Sequence, residues 1–229
     1  MISKQIKFLF GAACVAAAFA GSASAATTTV SLVGSNTDIR TYTDGGAYNA
    51  LYDSSRTLAG VQFDFAALDG QTAITGGPIT INTSIANPGT VYTLVNSAFG
   101  AYGADAGSIT FNATGGLSYT LHYIEGDNIR DHYFGSFVNT TSSSSVTQAV
   151  WGVNAPGNAH LDMQTIVLPD AFHSQTLTSV VFDSHDRGGE GIAFLAGLSV
   201  AAVPEPSQYA MLGLGLGLLA VAARRRSRS

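Results

Sequence analysis

The chain has 229 residues, of which 46% are hydrophobic and only 11% charged, and its formal net charge is −5 at pH 7. Between residues 26 and 203 the only cations are four arginines, against fourteen Asp and Glu residues, so this part carries a net charge of −10. An acidic, lysine-free region cannot neutralise phosphates, which excludes nucleic acid as a partner. Its length suits one domain with its own hydrophobic core.

The first 25 residues have the composition of a secretory signal. The parts are, in order, a positive start with Lys4 and Lys7, an apolar run over residues 8–20, and an A-x-A cleavage site with Ala23 and Ala25. This order predicts a signal peptide over residues 1–25 and export through the Sec machinery. The single cysteine, Cys14, lies inside this segment. The exported chain therefore has no thiol for disulfides, nucleophilic catalysis or metal binding.

The body of the chain is patterned as β-strands. Leu117, Tyr119, Leu121 and Tyr123 alternate with polar residues, which is the period of two that a half-buried strand requires. Similar patterns predict strands at 28–33, 61–65, 79–85, 91–96, 108–114, 132–138, 146–153, 161–168, 177–183 and 192–200. Gly, Pro and Asn separate these segments. Residues 26–202 are therefore predicted to form an all-β fold, an antiparallel β-sandwich or jelly roll.

Several of these segments also carry a family resemblance. The stretches concerned are residues 91–96, 128–133, 161–164, 177–180 and 193–197. They are similar to β-sandwiches of the galactose-binding-like type, as in NPCBM-like modules. The resemblance implies a carbohydrate-binding module as one alternative function, and it assigns no ligand residues.

The sequence offers no motif for hydrolytic catalysis. It contains neither G-x-S-x-G nor H-E-x-x-H, so we expect no enzyme activity. Glu125, Asp127 and Asp131 surround Arg130. Paired carboxylates can act as acid and base in glycosidases. The simpler interpretation is an ion pair, with the Arg130 guanidinium held by a carboxylate in a bidentate fork.

Two further groups of residues are candidate ligand sites. Asp183, Asp186 and Glu190 lie between two predicted strands. Together with loop carbonyls they could hold a structural Ca²⁺, which takes six to eight oxygen ligands; the alternative is a solvated hairpin tip. No other cofactor is expected. Trp151 is the candidate for sugar binding, because aromatic faces flanked by polar groups bind sugars, and a tyrosine group (Tyr42, Tyr48 and Tyr52) is a further candidate.

The last segment, residues 203–229, has three parts in a fixed order. They are Pro204, Glu205 and Pro206; an uncharged run over residues 209–223; and the cluster Arg224, Arg225, Arg226 and Arg228. An apolar run followed by arginines predicts a transmembrane helix whose arginines stay in the cytoplasm. The run spans about 22 Å, less than the ~30 Å hydrocarbon core of a bilayer. Such a short span suits a temporary anchor.

This C-terminal order closely resembles the PEP-CTERM protein-sorting signal of exported proteins in Gram-negative bacteria that make exopolysaccharide. The resemblance implies processing by an exosortase near Pro204, Glu205 and Pro206 after export across the inner membrane. We therefore expect a non-enzymatic surface or extracellular-matrix protein, first anchored in the membrane, then at the cell surface or outside it, and associated with exopolysaccharide or biofilm. A carbohydrate-binding module is the alternative; a glycan hydrolase and an ice-binding protein are less favoured.

Overall fold

The computed structural model describes residues 27–42, 46–52, 54–185 and 191–203, with a few C-terminal residues. Two compact units emerge from the contacts: Ala26–Val203 is one, and Met1–Ala25 with Pro204–Ser229 is the other. In the second unit the described residues are all helical; they are Gly213, Gly215, Leu216, Gly217, Leu219 and Arg224. No helix among the residues described here has the length and apolar character needed to cross a membrane.

Several predicted features fall outside the described residues. They are the signal peptide with Ala23 and Ala25, the sorting residues Pro204, Glu205 and Pro206, most of the 209–223 run, and Arg225, Arg226 and Arg228. These remain predictions from the sequence.

The first unit is built from strands and three short 3-10 turns. Its eleven described strands are β1 (Thr27–Val30), β2 (Ser55–Leu58), β3 (Val61–Asp64), β4 (Ile79–Ala86), β5 (Pro88–Asn96), β6 (Asp105–Ala113), β7 (Leu117–Ile124), β8 (Val146–Gly152), β9 (His160–Val167), β10 (Thr176–Ser184) and β11 (Phe194–Ala202). The 3-10 turns are Ile39–Thr41, Thr114–Gly116 and Asp170–Ser174. The predicted all-β class is confirmed.

The strands form two main antiparallel sheets and one hairpin. One sheet has five strands in the order β1-β11-β5-β9-β8, the other has four in the order β4-β10-β6-β7, and β2 pairs with β3. The consecutive strands β4 and β5 belong to different sheets, and Asn87 between them adopts a left-handed φ of 53°. Asparagine tolerates this conformation better than most residues. The chain therefore changes sheet within one residue.

Two hydrophobic clusters fix the layering. The first fills the space between the sheets, with Val91 and Leu198 from one side and Phe111 and Phe182 from the other, all at most 1% exposed. The second lies between the outer face of the five-stranded sheet and the segment at residues 39–73. Because both its faces are covered, β11 is buried along nearly its whole length. This arrangement is a β-sandwich with one outer face covered by an extra layer.

A glycine on β11 permits the close packing of that extra layer. A Cβ at Gly197 would lie 2.8 Å from Leu94 Cδ1 and 3.0 Å from Phe63 Cδ1. Real Cβ atoms essentially never approach to the shorter of these distances. Gly197 therefore lets Phe63 of β3 pack against the middle of the sheet.

The predicted strand at residues 132–138 is wrong. The structure has only isolated bridges there, from Asp131 to Ser97 and from Tyr133 to Ala159. The backbone N–H of Tyr133 binds the Asp131 carboxylate instead of a neighbouring strand. Strand β2, in contrast, was not predicted, since its four residues have little alternating pattern.

Candidate functional site

A buried ion pair joins the loops at one end of the sandwich, where β5 and β7 end and β9 begins. The Arg130 Nε lies 2.6 Å from Asp162 Oδ2 and its Nη2 lies 2.8 Å from Oδ1. Both side chains are 1% exposed. The bidentate pairing expected of Arg130 is present, but its partner is Asp162 and not a nearby carboxylate. Sequence separation hid this partner, because Asp162 is 32 residues away and comes close through the β5–β9 pairing together with the Ser97–Asp131 bridge.

Neutral groups complete the hydrogen bonding of this pair. Asp162 also accepts from Asn96 Nδ2 (3.1 Å) and the Ala149 N–H (2.7 Å), and Arg130 Nη1 donates to Asn139 O (2.8 Å) and Asn154 Oδ1 (2.9 Å). A buried charge is tolerated only when its hydrogen bonds are satisfied. The pair therefore fixes the segment after β7 to the strands beneath it.

The carboxylate of Asp131 holds two loops side by side. Its Oδ2 accepts from the Phe99 N–H at 2.9 Å and its Oδ1 accepts from the Tyr133 N–H at 2.7 Å. Asp131 is 2% exposed. Burial raises its pKa above the ordinary value, and the two N–H donors offset part of that rise. The Asp131 carboxylate therefore holds the backbones of Phe99 and Tyr133 next to each other.

These loops carry exposed aromatic side chains, which we call the aromatic loop surface. Its members and exposed fractions are Phe99 (59%), Tyr102 (66%), Tyr133 (42%) and Phe137 (43%). The rings of Phe99 and Phe137 meet edge to face, with centroids 5.3 Å apart. The Tyr102 hydroxyl lies 3.1 Å from Thr140 Oγ1. Sequence reasoning missed these residues, although residues 133–159 contain several aromatics and no Asp, Glu, Lys, Arg or His.

Glu125 lies enclosed beneath the same loops. It is 1% exposed, and neither carboxyl oxygen has a hydrogen-bond partner among the described residues. A Cβ at Gly100 or Gly191 would overlap its Oε1, so in this arrangement both glycines pack directly against the carboxyl group. Burial raises the pKa of Glu125 to about 7. The nearby Ser97 hydroxyl offsets part of this rise in pKa, although it does not form a hydrogen bond with the carboxyl group.

Two histidines are buried next to this region. The Tyr48 hydroxyl donates to His160 O at 3.0 Å and lies 3.0 Å from His132 Nδ1. Because the hydroxyl has one proton, His132 Nδ1 is the donor in the second contact. Burial lowers the pKa of His132 and of His160 to about 4. Both imidazoles are therefore neutral at pH 7.

Of the three predicted calcium ligands, only Asp183 is among the described residues. Asp183 lies on β10, while Asp186 and Glu190 are outside the described residues. Near Asp183 the structure places His185, whose Nδ1 lies 3.6 Å from an Asp105 oxygen; His122 Nδ1 contacts the same carboxylate at 3.0 Å. Within the part of the chain that is described, no three His, Cys, Asp or Glu side chains are arranged to hold a metal. Calcium binding stays a prediction.

The aromatic residues proposed from the sequence have structural contacts. Trp151 Nε1 donates to Ala47 O at 3.1 Å, and the Arg56 guanidinium lies 5.4 Å from its ring centre. Tyr48 and Tyr52 are in the core at 0% and 6% exposure. One face of Trp151 is thus covered by Arg56. Sugar binding by Trp151 stays a prediction.

Comparison with known protein families gives a match at the end of the chain. Residues 202–226 match the family model of the PEP-CTERM protein-sorting motif, as the C-terminal resemblance predicts. No curated protein matches the chain. The motif implies an exported protein that an exosortase processes and that is sorted to the cell envelope or surface.

Proposed function

We propose that this chain is a non-enzymatic surface or extracellular-matrix protein that associates with exopolysaccharide. The match of residues 202–226 to the sorting motif carries the surface assignment, because this motif implies an exported protein that an exosortase processes. The net charge of −10 between residues 26 and 203 favours a body that stays soluble after export.

The surroundings of the acidic residues support a non-enzymatic role. Among the described residues, the carboxylates with raised pKa values are Glu125 and Asp131, which are 1% and 2% exposed. A general acid must lie within hydrogen-bonding reach of its substrate. Glu125 is instead enclosed by Gly100 and Gly191, and Asp131 binds two backbone N–H groups. We assign these carboxylates to the architecture of the loops.

A carbohydrate-binding module is the second candidate. The observation that favours it is the aromatic loop surface, because four large aromatic side chains stand in solvent on two neighbouring loops. This candidate is compatible with the first, since a sorted surface protein can also hold the polysaccharide around it.

The sorting proposal predicts the fate of a truncated protein. Deletion of residues 203–229 should release the body into the medium or leave it mislocalised, because the anchor and the processing motif are lost together. Cell fractionation and immunoblotting measure this, with mass spectrometry of the C-terminal peptide of the full chain. The point variant Glu205→Ala should accumulate unprocessed, whereas Val167→Ala, on the exposed side of β9, should behave as the unchanged protein. Identical envelope localisation of the full and truncated chains would contradict the proposal.

A further inference from the structure

The segment that carries most of the aromatic loop surface is uncharged. Residues 133–159 contain no Asp, Glu, Lys, Arg or His, and residues 97–104 contain none either. Behind them, Glu125, Arg130 and Asp131 are at most 2% exposed. Asp127 is the exposed charged side chain on the adjoining turn, where it accepts from Ser142 Oγ at 2.8 Å. Among the described residues this surface exposes no charged side chain other than Asp127, so it suits an uncharged partner, while the acidic body as a whole repels a polyanion.

The exposed rings have the chemistry to bind a sugar. Four aromatic side chains on these loops are between 42% and 66% exposed, and the rings of Phe99 and Phe137 are in contact, whereas large aromatic side chains are more often buried. The C–H face of a pyranose ring packs on an aromatic face, while its hydroxyls need hydrogen-bond partners. Such partners are available on these loops: Ser136, Thr140 and Asn158 are exposed and uncharged, and the Phe134 N–H donates to Asn158 O.

The loops are held in place before any ligand binds. Asp131 fixes the backbone at Phe99 and Tyr133, and the Asn139 amide donates to Gly135 O and Phe137 O, each at 2.8 Å. Tyr102 packs over Gly126, where a Cβ would come within 2.3 Å of its ring. A surface that is already ordered loses little conformational entropy on binding.

We propose that Phe99, Tyr102, Tyr133 and Phe137 bind a neutral polysaccharide. The inference rests on the proposed function and names the site and ligand class for its polysaccharide partner. A second copy of this chain is the competing occupant. Four side chains are few for such an interface, because stable protein contacts use about 20–30 residues on each partner.

The test is affinity electrophoresis of the full chain in a zwitterionic detergent, so that no sugar headgroup competes. Native gels contain dextran or galactomannan as neutral probes, or alginate as an anionic probe. We expect a neutral polysaccharide to retard the protein, and Phe99→Ala or Phe137→Ala to weaken binding about tenfold or more, as for a central aromatic contact. Val167→Ala is the matched control, since it removes an exposed apolar side chain (68% exposed) on β9, away from the loops, and it should bind normally.

Four results would overturn the inference. They are no retardation by either neutral probe, retardation by alginate alone, full binding by both Phe variants, or loss of binding only with Trp151→Ala. Self-association of the unchanged chain that Phe137→Ala abolishes would assign the surface to contacts between copies. Thermal unfolding of each variant verifies that it is folded.

The binding test and the sorting test are independent. Export and C-terminal processing of the Phe variants should be normal, so a negative binding result does not contradict the sorting proposal. A negative sorting result likewise does not change the outcome of the binding test.

Discussion

At the scale of single residues, buried polar groups are the distinctive feature of this body. Some of these groups have a hydrogen-bond partner and others have none, as Tyr48, His132 and His160 illustrate. The Tyr48 hydroxyl and His132 Nδ1 satisfy each other, whereas both ring nitrogens of His160 have no partner among the described residues. An unsatisfied buried polar group costs stability. Breaking a satisfied contact should therefore be costly as well.

Tyr48→Phe tests this cost. The substitution keeps the ring but leaves His160 O and His132 Nδ1 without the hydroxyl, so the free energy of unfolding should fall by about 1–3 kcal/mol. Urea unfolding at pH 7 measures the change. Tyr102→Phe is the matched control, because its hydroxyl is exposed and its loss should change stability by less than about 0.5 kcal/mol. Equal effects of the two substitutions would contradict our assignment of Tyr48.

At the scale of elements, the loops after β5 and β7 are ordered by a few charged side chains. In these loops, the Arg130–Asp162 pair and the Asp131 carboxylate add hydrogen bonds to those that the backbone makes with itself. Because both charges of the pair are buried, loss of either one leaves the other without compensation.

Asp162→Asn should therefore be strongly destabilising. It leaves the Arg130 guanidinium buried without its counter-charge, and the free energy of unfolding should fall by about 3–5 kcal/mol. Urea unfolding measures the loss, and proteolysis after Phe134 or Phe137 reports loosening of the loop. The exposed pair of His122 and Asp105 provides the control: His122→Gln should cost at most about 1 kcal/mol. An unchanged midpoint for Asp162→Asn would show that the buried pair does not hold these loops.

At the scale of the whole molecule, the buried titratable groups determine how stability depends on pH. His132 and His160 have a folded pKa of about 4, below the ordinary 6.5, so their contribution is complete above pH 6.5 and is lost as the pH falls towards 4. Glu125 has a folded pKa of about 7, above the ordinary 4.5, so its contribution is complete below pH 4.5 and is lost as the pH rises through 7. These three groups together predict a maximum of stability near pH 6.5.

Glu125→Gln separates these contributions. The substitution removes the cost of ionising a buried carboxyl, which amounts to at most about 3 kcal/mol for the shift from 4.5 to about 7. The variant should therefore gain stability relative to the unchanged protein as the pH rises from 5 to 8.5, and its maximum should move to higher pH. Urea unfolding at both pH values measures this. Asp170→Asn, which removes a fully exposed carboxylate, is the control for the loss of one negative charge. A pH-independent difference between Glu125→Gln and the unchanged protein would refute the assignment.

The sequence by itself determined the local features of this protein. Alternating residues such as Leu117 to Tyr123 determine strands, and the succession of residue types over residues 203–229 determines the sorting motif, because both signals depend only on neighbours along the chain. The segment at residues 132–138 has a strand-like composition, yet it is a loop in the structure. The backbone N–H of Tyr133 binds the Asp131 carboxylate there instead of a neighbouring strand.

Only the tertiary structure decided the partners of distant residues. Asp162 meets Arg130, and Phe99 meets Phe137, across separations of more than thirty residues. The same packing decides which aromatics are exposed, and it covers one face of Trp151 with Arg56. Such contacts depend on how the sheets and loops pack in space, and no local pattern of residues encodes that packing.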